Sequence, residues 1–224
     1  MKTKKLIKEN ALTNIPGMGD VKDPFSSGKE KNKSVTEKYL NSHLIGAIYI
    51  PKIDVSLPLY DETNDVLLDE GATVLQGSSF PIGGDGTHSV ITGHSGVPEK
   101  KLFTDLDKLS KGDKFYIEVE GKKLAYKIVK FKTVLPNQLD SLKIDANLDQ
   151  VTLVTCTPYM VNTHRLLVTG VRTTYVNNET TSQIKNIKYK HIKQMIIILA
   201  LIFLIFVIFI WIVVKNCLGH NKAT

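Results

Sequence analysis

Residues 151–171, VTLVTCTPYMVNTHRLLVTGV, decide the fold and the chemistry expected of this chain. The stretch opens with an apolar, β-branched run that predicts a strand leading directly into Cys156. Pro158 cannot continue a central strand, so Cys156 is expected at the edge of its strand, where its side chain can face a cleft. A second strand begins at Arg165, and the intervening loop lets the two strands pair. Cys156 and Arg165 are therefore expected to face each other.

The rest of the central region consists of short runs of Val, Ile, Leu, Tyr and Thr that are cut by Gly, Pro and Asp. A tight hairpin is predicted at residues 120–122. Many short strands with little helix predict a mainly β fold, a closed β-barrel with short helices. The predicted strands are 46–50, 55–60, 89–92, 114–119, 123–133, 151–155 and 165–175, and the predicted helices are 64–70 and 101–109.

An uncharged apolar segment lies near the C-terminus. Residues 195–214, MIIILALIFLIFVIFIWIVV, reach about 30 Å as a helix, which matches the hydrocarbon thickness of a bilayer. Trp211 and the flanking Lys193 and Lys215 are typical of residues that anchor a helix at the membrane interface. We expect one C-terminal transmembrane helix rather than a buried core helix, because core helices are seldom apolar on every face.

The charge distribution follows the same division of the chain. The net charge of +7 separates into +4 for residues 1–38, −3 for residues 39–179 and +6 for residues 180–224. Because the basic charge lies in segments beside a membrane, nucleic acid is not an expected partner. The predicted organisation is an N-terminal arm (1–38), a catalytic β-barrel (39–176), a basic linker (177–194), a transmembrane helix (195–214) and a short tail (215–224).

Cysteine usage makes Cys156 a candidate nucleophile. The second cysteine, Cys217, lies beyond the membrane segment, so the two cannot form a disulfide. The alternative for Cys156 is a small buried apolar residue. A nucleophilic thiol needs a base, and His94 is the best-placed histidine because it ends an apolar strand between two glycines. His164 is expected to face away from Arg165, its neighbour in the strand.

The stretch from Thr152 to Val168 resembles the sortase signature, in which a TLxTC strand is followed by an arginine on the next strand. The run ITGHSG around His94 is similar to the catalytic histidine region of that family. The resemblance covers roughly residues 40–176. It implies a sortase-like barrel and a cysteine transpeptidase with Cys156, His94 and Arg165 as its catalytic residues. It also implies cleavage of an LPxTG-like sorting signal between Thr and Gly.

Two short motifs, TPY at 157–159 and NTHR at 162–165, resemble those of class C sortases, the pilin polymerases. The C-terminal apolar segment is also similar to that class. Members of that class carry a lid with an Asp-Pro-aromatic motif in the active site, and Asp23-Pro24-Phe25 matches it. The resemblance implies that Asp23 meets Arg165 and that Phe25 covers Cys156. A simple Asp-Pro turn is the alternative. The implied partners are pilin or surface-protein substrates, with a pilin lysine or a cell-wall peptide as the amine acceptor.

Several alternatives stay open. Within the family, the alternative is a housekeeping or spore-associated sortase; outside it, a membrane-tethered binding module or a cysteine hydrolase. The sequence shows no metal-ligand cluster and no phosphate-binding loop, so we expect no cofactor. We find no secretory signal at the start of the chain. Lysine counts around the apolar segment favour a cytoplasmic domain, whereas the resemblance implies a Gram-positive plasma membrane protein with an extracellular catalytic domain, which is our expectation.

Overall fold

The computed structural model describes residues 23, 25, 36–97, 100–138 and 142–220. Most of the predicted arm (1–38), Pro24 of the predicted lid and the last four residues of the predicted tail lie outside them. Among the described residues the strands are β1 (Leu44–Ile50), β2 (Val55–Tyr60), β3 (Ala72–Val74), β4 (Thr87–Thr92), β5 (Lys114–Val119), β6 (Lys122–Val134), β7 (Asp149–Thr157) and β8 (His164–Thr173). The helices are α1 (Glu37–His43), α2 (Asp65–Glu70) and α3 (Asn177–His220), with 3-10 helices at Pro51–Ile53 and Leu106–Lys108.

The strands form a closed barrel in the order β1-β2-β3-β4-β7-β8-β6-β5. The ring closes because β1 pairs with both β2 and β5. The pairs β2–β3 and β4–β7 are parallel, whereas the other neighbours run antiparallel. The predicted closed β-barrel with short helices is therefore confirmed.

The predicted hairpin joins β5 and β6 through a two-residue turn. Val119 pairs with Lys122, and the residues between them, Glu120 and Gly121, have φ values of 51° and 71°. Two successive positive φ angles are typical of a type I′ turn, whose twist matches that of the flanking strands. A side chain at Glu120 is tolerated there at some conformational cost, while Gly121 adopts this region freely.

The sheet carries two apolar layers because strand residues alternate between its faces. Val151 and Leu153 of β7 lie in the large core inside the barrel. Val154, from the opposite face, joins a second group of buried side chains, which we call the outer apolar cluster. Its members come from β4, β6, β7, β8 and the segment after β3: Leu75, Val90, Val134, Val154 and Leu167. This cluster forms a floor on the outside of the barrel.

Three local features differ from the prediction or were missed by it. The helix predicted at 101–109 is replaced by turns and a single 3-10 helix, and Leu102 has a φ of 37°, which an α-helix does not accept. Leu102 and Phe103 are both buried, so packing on the barrel overrides the local helical preference. Strand β3 and helix α1 were not predicted.

The chain divides into two compact units, Met1–Thr180 and Thr181–Thr224. Helix α3 is continuous through both the basic segment 177–194 and the apolar segment 195–214. A part of it, Thr180–Phe206, is long and apolar enough to cross a membrane. The exposed apolar side chains of residues 195–206 fit contact with lipid better than contact with water.

Candidate active site

Cys156 and Arg165 lie opposite each other on the adjacent antiparallel strands β7 and β8. Val154 lies two residues before Cys156 on β7, and Leu167 lies two residues after Arg165 on β8. Because strand residues alternate between faces, all four side chains share the outer face of the sheet. The thiol and the guanidinium therefore project above the edge of the outer apolar cluster. Pro158 follows β7 directly, so the strand ends one residue after Cys156.

The guanidinium of Arg165 is buried and held by four hydrogen bonds. Its Nη1 donates to the carbonyl oxygens of Asn162 and His164, each at 2.9 Å. Its Nε and Nη2 donate to the two carboxylate oxygens of Asp23, at 2.8 and 2.7 Å. Such a two-pronged contact between guanidinium and carboxylate is strong and directional. The loop between β7 and β8 thus orients Arg165, and Asp23 occupies its outward-facing donors.

Phe25 lies over the same site. Its ring is 5.1 Å from the guanidinium carbon of Arg165, and its centroid is 5.7 Å from that of the His94 ring. It also packs against the outer apolar cluster. Asp23 and Phe25 together, which we call the lid residues, therefore contact Arg165 and His94 and cover the apolar floor.

Cys156 is buried in this arrangement, with 8% of its surface exposed. Burial raises the pKa of the thiol, Arg165 lowers it, and Asp23 raises it, so that the pKa lies at about 11. The cause that dominates is the loss of water around a thiolate. At neutral pH the covered thiol is therefore protonated, and it is a poor nucleophile.

His94 follows β4 and is tied to β7 through Gly93. The Gly93 N–H donates to the carbonyl of Val154, and the Thr155 hydroxyl donates to the carbonyl of Gly93 at 2.7 Å. A Cβ at Gly93 would lie 2.7 Å from the Phe103 ring, so this close approach requires glycine. Thr155, which precedes Cys156, thus holds the backbone of Gly93, which precedes His94.

Asp69, in the last turn of α2, was not found by sequence reasoning. Its Oδ1 lies 3.5 Å from Nε2 of His94. The one available signal was the sequence Asp69-Glu70 at the end of a predicted helix, where negative charge opposes the helix dipole. That pattern alone does not predict a contact with His94, because His94 lies in a different segment of the chain.

The side chains of three other described histidines hydrogen-bond to groups outside the Cys156–Arg165 pair, although the backbone carbonyl of His164 accepts from Arg165. Their partners are Asp61 for His43, Thr152 for His88 and Thr163 for His164. Within the described part of the chain, no group of three or more His, Cys, Asp or Glu side chains is placed to hold a metal ion.

Comparisons with known proteins identify the family of the barrel domain. The family model for the sortase domain matches residues 48–173, which is more than half of the chain. Sortase A of Bacillus anthracis is 31% identical over 128 residues, which cover 57% of this chain. The chain spans between 56% and 59% of the length of the curated sortase A relatives that it matches.

Solved structures extend the likeness to the whole barrel. Sortase C-1 of Streptococcus pneumoniae is 44% identical with a TM-score of 0.66, and the alignment covers 78% of this chain and 90% of that one. Sortase C1 of GBS pilus island 1 is 41% identical with a TM-score of 0.66, covering 78% of this chain and 82% of that one. With the family model spanning the barrel and these structures superposing on it, the chain belongs to the sortase family.

Proposed function

We propose that this protein is a cysteine transpeptidase that cleaves an LPxTG-like sorting signal between Thr and Gly and transfers the acyl group to an amine. The observation that carries the proposal is the pairing of Cys156 with Arg165 on an outer face with an apolar floor, where Phe25 contacts both Arg165 and His94. An extended peptide over that floor would bury its apolar side chains there and present its carbonyl to the thiol. The likeness to a sortase C1 of a pilus island supports a pilin lysine as the acceptor.

The first half of the reaction forms a thioester. The Cys156 thiolate attacks the carbonyl carbon of Thr, and Arg165 stabilises the oxyanion of the tetrahedral intermediate. His94, as imidazolium, donates its proton to the leaving Gly nitrogen as the C–N bond breaks. A placed proton donor contributes about 10²- to 10⁴-fold, and an oxyanion donor about 10²- to 10³-fold.

The second half consumes the thioester. A lysine amine attacks the acyl carbon, neutral His94 accepts the proton that this amine loses, and the Cys156 thiolate leaves. The products are an isopeptide bond and the original thiolate–imidazolium pair. Water in place of the amine would give a carboxylic acid, so the proposed activity requires that the amine competes successfully with water.

The lid residues must leave before this chemistry begins. Asp23 occupies Nε and Nη2 of Arg165, which are donors that an oxyanion would need. Phe25 covers the apolar floor that the substrate would use. The buried thiol, with its pKa raised to about 11, is almost entirely protonated at neutral pH. We therefore propose that the arrangement with Asp23 on Arg165 is a closed, resting form.

Removing a lid residue should expose the thiol. In Asp23→Ala the two charge-assisted hydrogen bonds to Arg165 are lost, which destabilises the closed form by about 1.5–3 kcal/mol. The rate of Cys156 alkylation at pH 7.5 should rise on the order of 10- to 100-fold, and Phe25→Ala should act in the same direction. Labelling is followed by intact-protein mass spectrometry of the full chain in detergent micelles.

The matched control for this experiment is Glu120→Ala. Glu120 lies at the β5–β6 turn, and β6 then runs from Lys122 to Val134, which pairs with Arg165. The control thus removes a carboxylate at the opposite end of the strand and should leave the labelling rate unchanged. Equal rates in wild type, Asp23→Ala and Phe25→Ala would reject the lid assignment.

We also propose that the protein is anchored in the plasma membrane by residues 195–214, with the barrel on the extracellular side. The length and composition of helix α3 support the anchor. The side is inferred from the substrates, because sorting signals are processed outside the cell. Protease added to intact cells should remove the barrel if this orientation holds, and a protected barrel would contradict it.

The function is tested by incubating the full chain in micelles with a sorting-signal peptide and an excess of a lysine-containing peptide. The proposal expects an acyl adduct on Cys156 and then an amide product. A cysteine hydrolase would give only the acid, and a binding module would give no adduct. Supplying a cell-wall peptide amine in a parallel reaction separates the pilin-polymerising reaction from the housekeeping one.

A further inference from the structure

Helix α2 ends beside His94 with two acidic residues, Asp69 and Glu70. Negative charge in the last turn opposes the helix dipole, and no basic residue within the helix offsets it. Leu67 and Leu68 are fully buried, so the barrel fixes the position of this turn. Charges that destabilise their own helix, on a turn that the barrel holds in place, indicate that the carboxylates interact with groups outside the helix.

Each carboxylate has a positively charged or protonatable partner outside the helix. Lys100 donates to the backbone carbonyl of Asp69 at 2.6 Å and to the carboxylate of Glu70 at 3.0 Å. The carboxylate of Asp69 faces Nε2 of His94 at 3.5 Å. Lys100 thus anchors the end of the helix and neutralises Glu70, and the Asp69 carboxylate is directed to the imidazole.

We propose that Asp69 is a positioning residue for His94, orienting the ring through Nε2 and stabilising its protonated form for transfer of the other proton. This inference rests on the proposed function, in which His94 donates a proton to the leaving amine. An imidazolium carries a proton on both nitrogens, so a carboxylate at Nε2 stabilises the charge while Nδ1 retains a proton to give.

The other charges around His94 make this role specific to Asp69. Arg165 is positive and opposes a second positive charge nearby, whereas a Cys156 thiolate favours it. Asp23 contributes a carboxylate only while it lies on Arg165. When the lid residues leave, that carboxylate leaves with them. Asp69 stays, because its helix is held by buried leucines and by Lys100 rather than by the lid.

The benefit for catalysis follows from the order of the two titrations. A thiol ordinarily has a pKa of about 8.5 and an imidazole about 6.5, so the thiolate–imidazolium pair is a minor form at every pH. In the pH range between the two pKa values, the population of this pair falls tenfold for each unit by which the two values move apart. A carboxylate that raises the pKa of His94 brings them closer and increases the reactive fraction.

Asp69→Asn removes the charge and keeps the shape. Because the Asp69 side chain is 66% exposed, solvent screens the pair. We expect the pKa of His94 to fall because a neighbouring negative charge is lost, and kcat/KM on the plateau of its pH profile to fall about two- to fivefold. The acid limb of the kcat/KM profile should move to lower pH by the same amount, while the alkaline limb, set by the thiol, stays in place.

Two variants separate this role from a structural one. Asp69→Glu keeps the charge, so the pKa of His94 and kcat/KM should both return most of the way to their wild-type values. Glu70→Gln removes the adjacent carboxylate, which contacts Lys100, and should leave the pKa of His94 and the acid limb unchanged. The shift in Asp69→Asn should also shrink in 1 M salt, because the Debye length of about 3 Å at that ionic strength weakens the attraction between the two side chains.

The pKa of His94 is read directly by NMR titration of ¹³C-labelled histidine in the full chain in micelles, with the signal assigned from His94→Gln. An unchanged titration in Asp69→Asn overturns the inference, whatever the activity. Absence of any transpeptidation by the wild-type protein would instead overturn the proposed function, and the titration would still decide whether Asp69 stabilises the charged ring.

Discussion

Replacing Cys156 by alanine is expected to abolish both the acyl adduct and the amide product. In the proposed mechanism the sulfur of Cys156 forms the covalent bond, and no neighbouring group in the described site offers a comparable nucleophile. Loss of a catalytic nucleophile lowers turnover on the order of 10⁵- to 10⁶-fold. Intact-protein mass spectrometry after incubation with a sorting-signal peptide should therefore show the unmodified mass of the full chain.

Cys217→Ala is the matched control, because it removes the second cysteine from a different part of the chain. It should form the same adduct at the same rate as the wild type. An adduct that persists in Cys156→Ala would reject Cys156 as the nucleophile. Thermal unfolding of both variants is compared with that of the wild type, so that loss of the adduct in Cys156→Ala can be assigned to the missing thiol rather than to unfolding.

Replacing Arg165 by lysine is expected to lower kcat/KM about 10²- to 10³-fold. Lysine keeps the positive charge but lacks the planar fork, and the geometry at this position depends on that fork. Nη1 is bound to the carbonyls of Asn162 and His164, which directs Nε and Nη2 outward. An ammonium group cannot satisfy the two carbonyls and an oxyanion with the same directions.

Arg172→Lys is the control for this prediction. Arg172 lies on the same strand, and its guanidinium lies over the ring of Tyr126 and 3.8 Å from Asp149. It should keep kcat/KM within a factor of about two of the wild type, because it makes none of the described contacts with Cys156, His94 or Arg165. Near-normal turnover in Arg165→Lys would reduce Arg165 to a structural residue.

Adduct formation separates two possible roles of Arg165. If Arg165 stabilises the oxyanion, the rate of thioester formation falls at saturating peptide. If it only binds the peptide, KM rises and the rate at saturation is kept. Single-turnover measurements with Asp23→Ala as the common background remove any contribution from the closed form. The proposal expects the first outcome.

The strands followed from the sequence wherever apolar alternation extended over five or more residues. Strand β2 was predicted with the bounds that the structure gives, and β7 and β8 were predicted within a few residues. Strand β3 is three residues long, too short for any period to show. The segment 101–109 has helical composition, but two adjacent side chains, Leu102 and Phe103, are drawn into the core.

The sequence by itself determined the pairing of Cys156 with Arg165, because alternation along two strands joined by a short loop leaves little freedom in register. It also determined the apolar helix of membrane-spanning length. Only the tertiary structure decided that Asp69 faces His94 and that the covered thiol is protonated, and it showed the contact of Asp23 with Arg165, across 142 residues of chain, that the family resemblance had implied. Local periodicity carries no information about which distant side chains meet; packing of the whole barrel fixes those contacts, and the contacts fix the charge states.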